Sequence, residues 1–316
     1  MKRTIFFFLL ILTNGICIYA DPICFSDSTA VDKTRIMAHL QFLAGSTEPR
    51  FDGNPKRLNE CAEYIRGEFL KLTSDVEEQK YFAGSIEYKN VICSFGPREG
   101  ERIIIGAHYD VCEHQPGADD NASGVAGLLE VARLLKNENS RLKYRVDLVA
   151  YTLEEPPNFR TERMGSAVHA KMLHSKGIKV KAMICLEMIG YFSNKPHSQE
   201  YPLGVMKLIY PTKANFIAVI GKTGQGRTTR RIKRQMKNHS SVRTISLNAP
   251  AAIPGIDFSD HLNYWKYGYV AVMITDTSFY RNANYHEKSD TIDTLDLDKM
   301  SEVIRGVFAA VMGLQQ

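Results

Sequence analysis

Glu154 and Glu155 are adjacent acids at the end of an apolar run, Val146 to Leu153, and Pro156 and Pro157 follow at once. Two carboxylates leaving a buried strand are costly unless something neutralises them. His108-Tyr109-Asp110 and Asp119-Asp120-Asn121 lie upstream, and Glu187 and His286 downstream. Together these residues read as a two-metal hydrolase centre. One glutamate would hold metal and its neighbour would move protons.

Each residue has a chemical reason to be there. His108 and Asp110 follow a β-branched run, and in extended backbone residues i and i+2 face the same side. A metal-ligating histidine commonly donates its other ring N–H to a carboxylate, which Asp110 could provide. Asp119, Asp120 and Asn121 sit among glycines just before a helix. Acids there could simply cap the helix and suit its dipole. A single Asp could equally bridge two cations about 3.5–4 Å apart. Glu154 and Glu155 diverge in extended backbone, so they serve one site only if the chain turns at the strand end. Pro156 biases Glu155 away from helical geometry. Glu187 ends the apolar stretch Met183 to Leu186, where an acid needs a partner. His286 lies in a polar loop.

The elements that must position these residues are legible in the apolar periodicity. Residues 29–44 fit an amphipathic helix through Ile36, Met37, Leu40 and Leu43, with Phe42 off the stripe as a possible end marker. Residues 56–72, 123–135, 166–175, 227–237 and 297–312 read as further helices. Residues 88–95, 102–107, 145–153, 182–188, 216–220 and 269–275 read as strands. Ile103-Ile104-Ile105 suits a strand buried on both faces. This alternation predicts a single-domain α/β fold, a mixed, mainly parallel sheet flanked by helices on both faces. Residues 196–211 read as a loop excursion from that domain.

The 316 residues carry 44% apolar and 24% charged side chains, ordinary for a globular chain. Lys2-Arg3, the apolar stretch Ile5 to Leu12 and Ala20 match a secretory signal over residues 1–20, leaving a mature domain over residues 21–316. The stretch is short for a membrane span. The chain is therefore expected to be exported, periplasmic or secreted, without stable membrane insertion after cleavage. Loss of Lys2 and Arg3 takes the net charge from +5 to +3, too mild to imply nucleic acid. Loss of Cys17 leaves five cysteines, an odd number, so at least one thiol is unpaired.

Taken together, the segments resemble the M28 family of zinc aminopeptidases. The matching pieces are Gly106 to Asp110, Pro116 to Gly124, Glu154-Glu155, Leu186 to Met188, Ser259-Asp260-His261 and His286 to Thr291, in the family's order. The resemblance implies one Zn²⁺ held by His108, Asp120 and Glu187, and a second by Asp120, Glu155 and His286, with Asp120 bridging. It implies Glu154 as general base and acid, Asp110 behind His108, and a cis peptide after Asp120. Two departures stand out. Glu187 occupies a position where several members carry Asp. Glu154-Glu155-Pro156-Pro157 replaces a glycine-containing turn, which Asn158 to Arg163 lengthens at the substrate rim.

The expected activity is an aminopeptidase acting on peptides as a monomer, with Glu154 taking a proton from water shared between the cations and returning it to the leaving amine. Met188, Tyr191, Phe258, Tyr264 and Phe279 are candidates for an apolar side-chain pocket. Asp260-His261 could be structural support. Two rivals remain. A lone-zinc glutaminyl cyclase usually has Trp before its last histidine ligand, whereas Tyr285 stands here. A non-catalytic binding ectodomain normally loses ligands, and all five positions here are acceptable. Gly221-Lys222-Thr223 fails as a P-loop because Phe216 replaces the required glycine. The seven basic residues from Lys222 to Lys237 suit a solvated helix face. Asn121-Ala122-Ser123 is a glycosylation sequon inside the candidate metal loop, which suits a bacterial-type exported protein or a buried sequon.

Overall fold

The computed structural model describes residues 30–316, so the expected export signal lies outside the described residues. The chain opens with α1 (Lys33–Ala44) and α2 (Pro55–Leu70), then the hairpin β1 (Val76–Ala83) and β2 (Ile86–Phe95). Alternation follows: β3 (Arg102–His108), α3 (Gly124–Lys136), β4 (Arg145–Tyr151), α4 (Gly165–Ser175) and β5 (Val180–Glu187). The second half holds β6 (Phe216–Lys222), α5 (Gly226–His239), β7 (Arg243–Ala249), the short α6 (His261–Trp265), β8 (Ala271–Thr275) and α7 (Leu297–Gln315).

The strands form one mixed sheet in the order β1-β2-β4-β3-β5-β8-β6-β7. Its centre, β4-β3-β5-β8, is parallel. The β6–β7 pair is parallel within itself and antiparallel to β8. Ile103 and Ile105 face a core built with α1, α2, α3, α5 and α7, while Ile104 faces a second core with α4 and α6. The sheet is therefore covered on both faces, as the continuous apolar run of β3 predicts.

From β3 the chain crosses to β4 on one side, and from β4 to β5 on the other. Connections leaving in opposite directions open a crevice beyond the carboxyl ends of these strands. His108 ends β3, Glu154 and Glu155 follow β4, and Glu187 ends β5.

The structure adds β1 and β7 to the strands expected from sequence. β1 carries Glu77, Glu78, Gln79 and Lys80, the polar composition of an edge strand. Phe42 does not end α1, which continues to Ala44. Its ring stacks on Tyr64 at a centroid distance of 3.7 Å, with the Arg57 guanidinium 5.0 Å away. The basic helix α5 buries only Thr229, Ile232 and Met236, leaving its charges on the outer face. Among the described residues, no helix is long and apolar enough to cross a membrane.

One acid sits inside the sheet. Asp147 of β4 is fully buried, accepts hydrogen bonds from Ser94 Oγ at 2.7 Å and Arg145 Nε at 2.9 Å, and pairs with Arg102 at 2.7 Å. It ties β2, β3 and β4 together. Breaking a buried ion pair by removing one partner costs about 3–5 kcal/mol. Asp147→Ala is expected to lower unfolding free energy by about that amount, read from the urea midpoint at unchanged slope.

Candidate metal centre

Strand ends and tight turns bring every predicted donor to one place. Leu153 adopts a left-handed φ of 60°, Met188 one of 50° and His286 one of 59°. Such angles are uncommon for residues with side chains and cluster where geometry is over-determined. Leu153 turns the chain so that both glutamates reach the cluster, Met188 lies directly after Glu187, and His286 is itself a donor. The Asp120–Asn121 peptide is cis, in keeping with the resemblance.

Asp120 stands at the middle. Its Oδ1 lies 3.5 Å from His108 Nε2, and its Oδ2 lies 3.2 Å from His286 Nε2. Glu187 Oε2 is 3.3 Å from the same His108 nitrogen, and Glu155 Oε2 is 3.2 Å from the same His286 nitrogen. Around a tetrahedral cation with bonds of about 2.0–2.1 Å, neighbouring donors stand about 3.3–3.4 Å apart. The spacings match that edge. Glu155 Oε1 is buried without a hydrogen-bond partner, which suits a donor shaped for a cation. The donor set thus fits a pair of divalent cations, His108-Asp120-Glu187 on one side and Asp120-Glu155-His286 on the other. Glu154 Oε2 lies 3.9 Å from His108 Nε2, beside both sets.

Two aspartates hold the donor backbone. Asp110 accepts the N–H groups of Glu154 and Glu155, each at 3.1 Å. Its side chain is 3.6 Å from His108 Nδ1, which lies closer, at 3.2 Å, to the Asp110 main-chain carbonyl. Asp110 is therefore a positioning residue for the glutamate turn as well as for the imidazole. Asp290 does the same for the other loop, accepting from Asp119 N at 2.9 Å and Asp120 N at 3.0 Å.

Asp119 does not cap α3. It accepts from Gly190 N and Asn282 Nδ2, and the first N–H of α3 is taken by Asn121 Oδ1 at 3.1 Å. Asn121 also donates to the Leu186 carbonyl and is fully buried, so the sequon is a buried one. Ser259 donates to Glu187 Oε2 at 2.6 Å, and the buried Arg50 donates to the Pro116 and Gly117 carbonyls. Arg50, Asp290 and Ser259 were not singled out from sequence. Asp290 and Ser259 fall inside the matched motifs, which was the available signal, whereas nothing local marks Arg50. Among the described residues Cys61, Cys93, Cys112 and Cys185 are free thiols, with Cys185 buried and Cys112 half-buried.

A cleft, open to solvent at its mouth, leads away from the donors. Phe258 and Phe279 line it as expected. Met188, Tyr191 and Tyr264 are not among its walls. Met188 and Tyr264 are fully buried, and the Tyr264 hydroxyl is committed to Tyr151 and His169, both at 2.6 Å. His261 supports the cleft wall through the Ile256 carbonyl at 2.8 Å. The neighbouring Asp260 is fully buried with neither carboxylate oxygen hydrogen-bonded.

A carboxylate–histidine cluster thus stands at the carboxyl ends of parallel strands in a mixed α/β sheet. The sequence model of peptidase family M28 matches residues 90–311, and the chain belongs to that family. It is 43% identical to uncharacterized protein YfbL of Escherichia coli K12 over 320 residues, covering 97% of this chain and 98% of that one. Leucine aminopeptidase 1 of Uncinocarpus reesii is 25% identical over 225 residues, 67% of this chain and 51% of that protein. The chain thus spans about half the length of that aminopeptidase. Among solved structures, LapB of Legionella pneumophila superposes with a TM-score of 0.70 at 23% identity, covering 90% of this chain and 72% of that one. Porphyromonas gingivalis glutaminyl cyclase gives 0.65 at 20%, covering 90% and 97%. These two likenesses establish the fold.

The cluster's electrostatics follow from burial. Burial would lower the His108 imidazole, but Glu187 and Glu154 hold its pKa well above the usual value. Burial likewise opposes His286, which Asp120 and Glu155 push up to about 10. Burial, then Asp120, raises Glu155 to about 8, and burial raises Glu154 and Glu187. Without a cation the cluster therefore holds protons at neutral pH, and a cation must displace them because the ligating forms are unprotonated. Metal binding at pH 7 is expected to release protons, and affinity should fall as pH falls. Calorimetric titration of zinc in buffers of different ionisation enthalpy reads the release directly. A buffer-independent heat would contradict this protonation pattern.

Proposed function

We propose that the chain is an exported, zinc-dependent aminopeptidase that removes N-terminal residues from peptides. The observation that carries this reading is the division of Asp120, whose two oxygens face two different histidine–glutamate pairs. Membership of the M28 family and the likeness to leucine aminopeptidase 1 support it. The export signal read over residues 1–20 belongs to the same proposal.

His108, Asp120 and Glu187 would hold one zinc, and Asp120, Glu155 and His286 the other. Bound there, zinc supplies Lewis acidity towards a carbonyl oxygen and makes water a stronger acid. Glu154 takes the proton of the attacking water and returns it to the nitrogen of the leaving amine. Asp110 fixes Glu154 and Glu155 by their main-chain N–H groups, so proton transfer and ligation keep a constant geometry. The buried setting of Glu154, 6% exposed, keeps bulk water from competing for that proton.

Metal analysis with a panel of aminoacyl-p-nitroanilides, with and without chelator, tests the reading. Two zincs per chain and chelator-sensitive release are expected. One zinc with cyclisation of N-terminal glutamine would replace it with the cyclase reading. General acid–base help is worth about 10²–10⁴-fold. Glu154→Gln should lower kcat by that order while zinc content stays unchanged. Glu155→Gln should instead lower zinc content. Full activity in the first variant, or full metal content in the second, would reverse the assignment of the pair.

A further inference from the structure

The sheet register gives the cleft its length. Glu187 of β5 stands opposite Thr275 of β8, Thr275 opposite Ala218 of β6, and Ala218 opposite Ile245 of β7. All four side chains line the cleft. Neighbouring strands lie about 4.7–4.9 Å apart, so this rung runs about 14 Å from a candidate zinc ligand to the far edge strand. A leucine side chain covers about one interstrand step, and no coded aliphatic side chain reaches the third. Ala218 occupies the middle of the rung with a single methyl group, leaving depth where a larger residue would close it. It belongs to the second core and borders the cleft.

Charge in the cleft is confined to one end. Asp120, Glu154, Glu155, Glu187 and His286 crowd the donor end, and the other acid in the wall, Glu200, is paired with Lys207. Beyond them Ala218, Ile220, Ile245, Leu247 and Met273 make the strand floor apolar, with the uncharged Thr275 next to Glu187. Tyr201, Met206 and Tyr210, from the excursion between β5 and β6, also line the cleft. A polar head and a long apolar tail would match this distribution.

We propose that the cleft accepts amines bearing a straight apolar chain longer than any coded aliphatic side chain, seated along the Thr275–Ala218–Ile245 rung. Its assignment as a substrate arm rests on the aminopeptidase reading. Burying a methylene is worth about 0.8 kcal/mol, or about fourfold. With zinc-loaded protein and p-nitroanilides of straight-chain 2-amino acids, kcat/KM should rise about fourfold per methylene beyond norleucine, up to a side chain of about eight carbons. A maximum at leucine or norleucine length would overturn the proposal while leaving the aminopeptidase reading intact.

Ala218→Phe and, at the half-buried edge, Ile245→Trp should each return the preferred length to that of norleucine. The ratio of long-chain to short-chain turnover is read, so loss of folded protein does not imitate the result. An optimum that stays long in both variants would overturn the placement. Calorimetry with n-alkylamines from butyl to decyl reads the arm without turnover. Affinity should climb with length in the wild type and level off early in Ala218→Phe. That climb without cleavage of any anilide would sink the aminopeptidase reading and keep the arm, whereas flat affinity would remove the arm.

Discussion

The dominant constraint on this molecule is the crowding of unscreened carboxylates at the ends of three buried strands. Asp120, Glu154, Glu155 and Glu187 are all at least nine-tenths buried, and Asp110, Asp260 and Asp290 are buried around them. Such a group is tolerable only if each charge is matched by a proton, a peptide dipole or a cation. The structure uses the first two in its own fabric. Asp110 and Asp290 each collect two consecutive N–H groups, and the segments they collect carry the donors. The buried Arg50 adds positive charge beneath the Pro116–Gly117 loop, where its burial lowers its own pKa. Apart from Asp260, what remains unmatched is concentrated on the side chains that face His108 and His286.

The sheet explains how residues so far apart in sequence meet. β3, β4 and β5 run in parallel, so their carboxyl ends emerge on one edge. The order β4-β3-β5 then places His108 between the glutamate turn and Glu187. Helix α3 lies on one face and α4 on the other, which leaves the crevice between the connections uncovered. The loops carrying Asp120 and His286 are longer-range additions, and Asp290 locks them to each other through the Asp119 and Asp120 N–H groups.

Much of this was legible in sequence for a simple reason. β3 is apolar from Ile103 to Ala107, and the acids interrupt apolar runs at their ends, so both strands and site announce themselves by composition. The single-domain, mainly parallel sheet with helices on both faces follows from that alternation. What was not legible is held by long-range partners. β1, with its polar run Glu77-Glu78-Gln79-Lys80, is a strand because it pairs with β2, whereas β7 does carry a signal, Ile245, Leu247 and Ala249 alternating with Thr244, Ser246 and Asn248. The pocket residues show the same limit. Tyr264 lies close in sequence to Phe258, yet its hydroxyl turns inward to Tyr151 and His169 while Phe258 faces the cleft.

Residues after Glu155 show how chemistry and selectivity are separated. Pro156 and Phe159 line the cleft, but the turn they belong to is fixed from outside it. Asn158 Nδ2 donates to Asp52 at 3.2 Å, and Arg160 pairs with Asp257 at 2.7 Å while lying 5.3 Å from the rings of Phe159 and Phe258. The Arg160 contacts join the glutamate turn to the segment that carries Pro254 to Phe258, and Asn158 joins it to Asp52 between α1 and α2. The donors themselves are held by strand ends and by Asp110 and Asp290. The rim can therefore change in length and composition without moving the carboxylates, because different interactions hold each. The departure at Glu154-Glu155-Pro156-Pro157 is then a change in the wall of the cleft, made where the centre's geometry is already secured by Asp110.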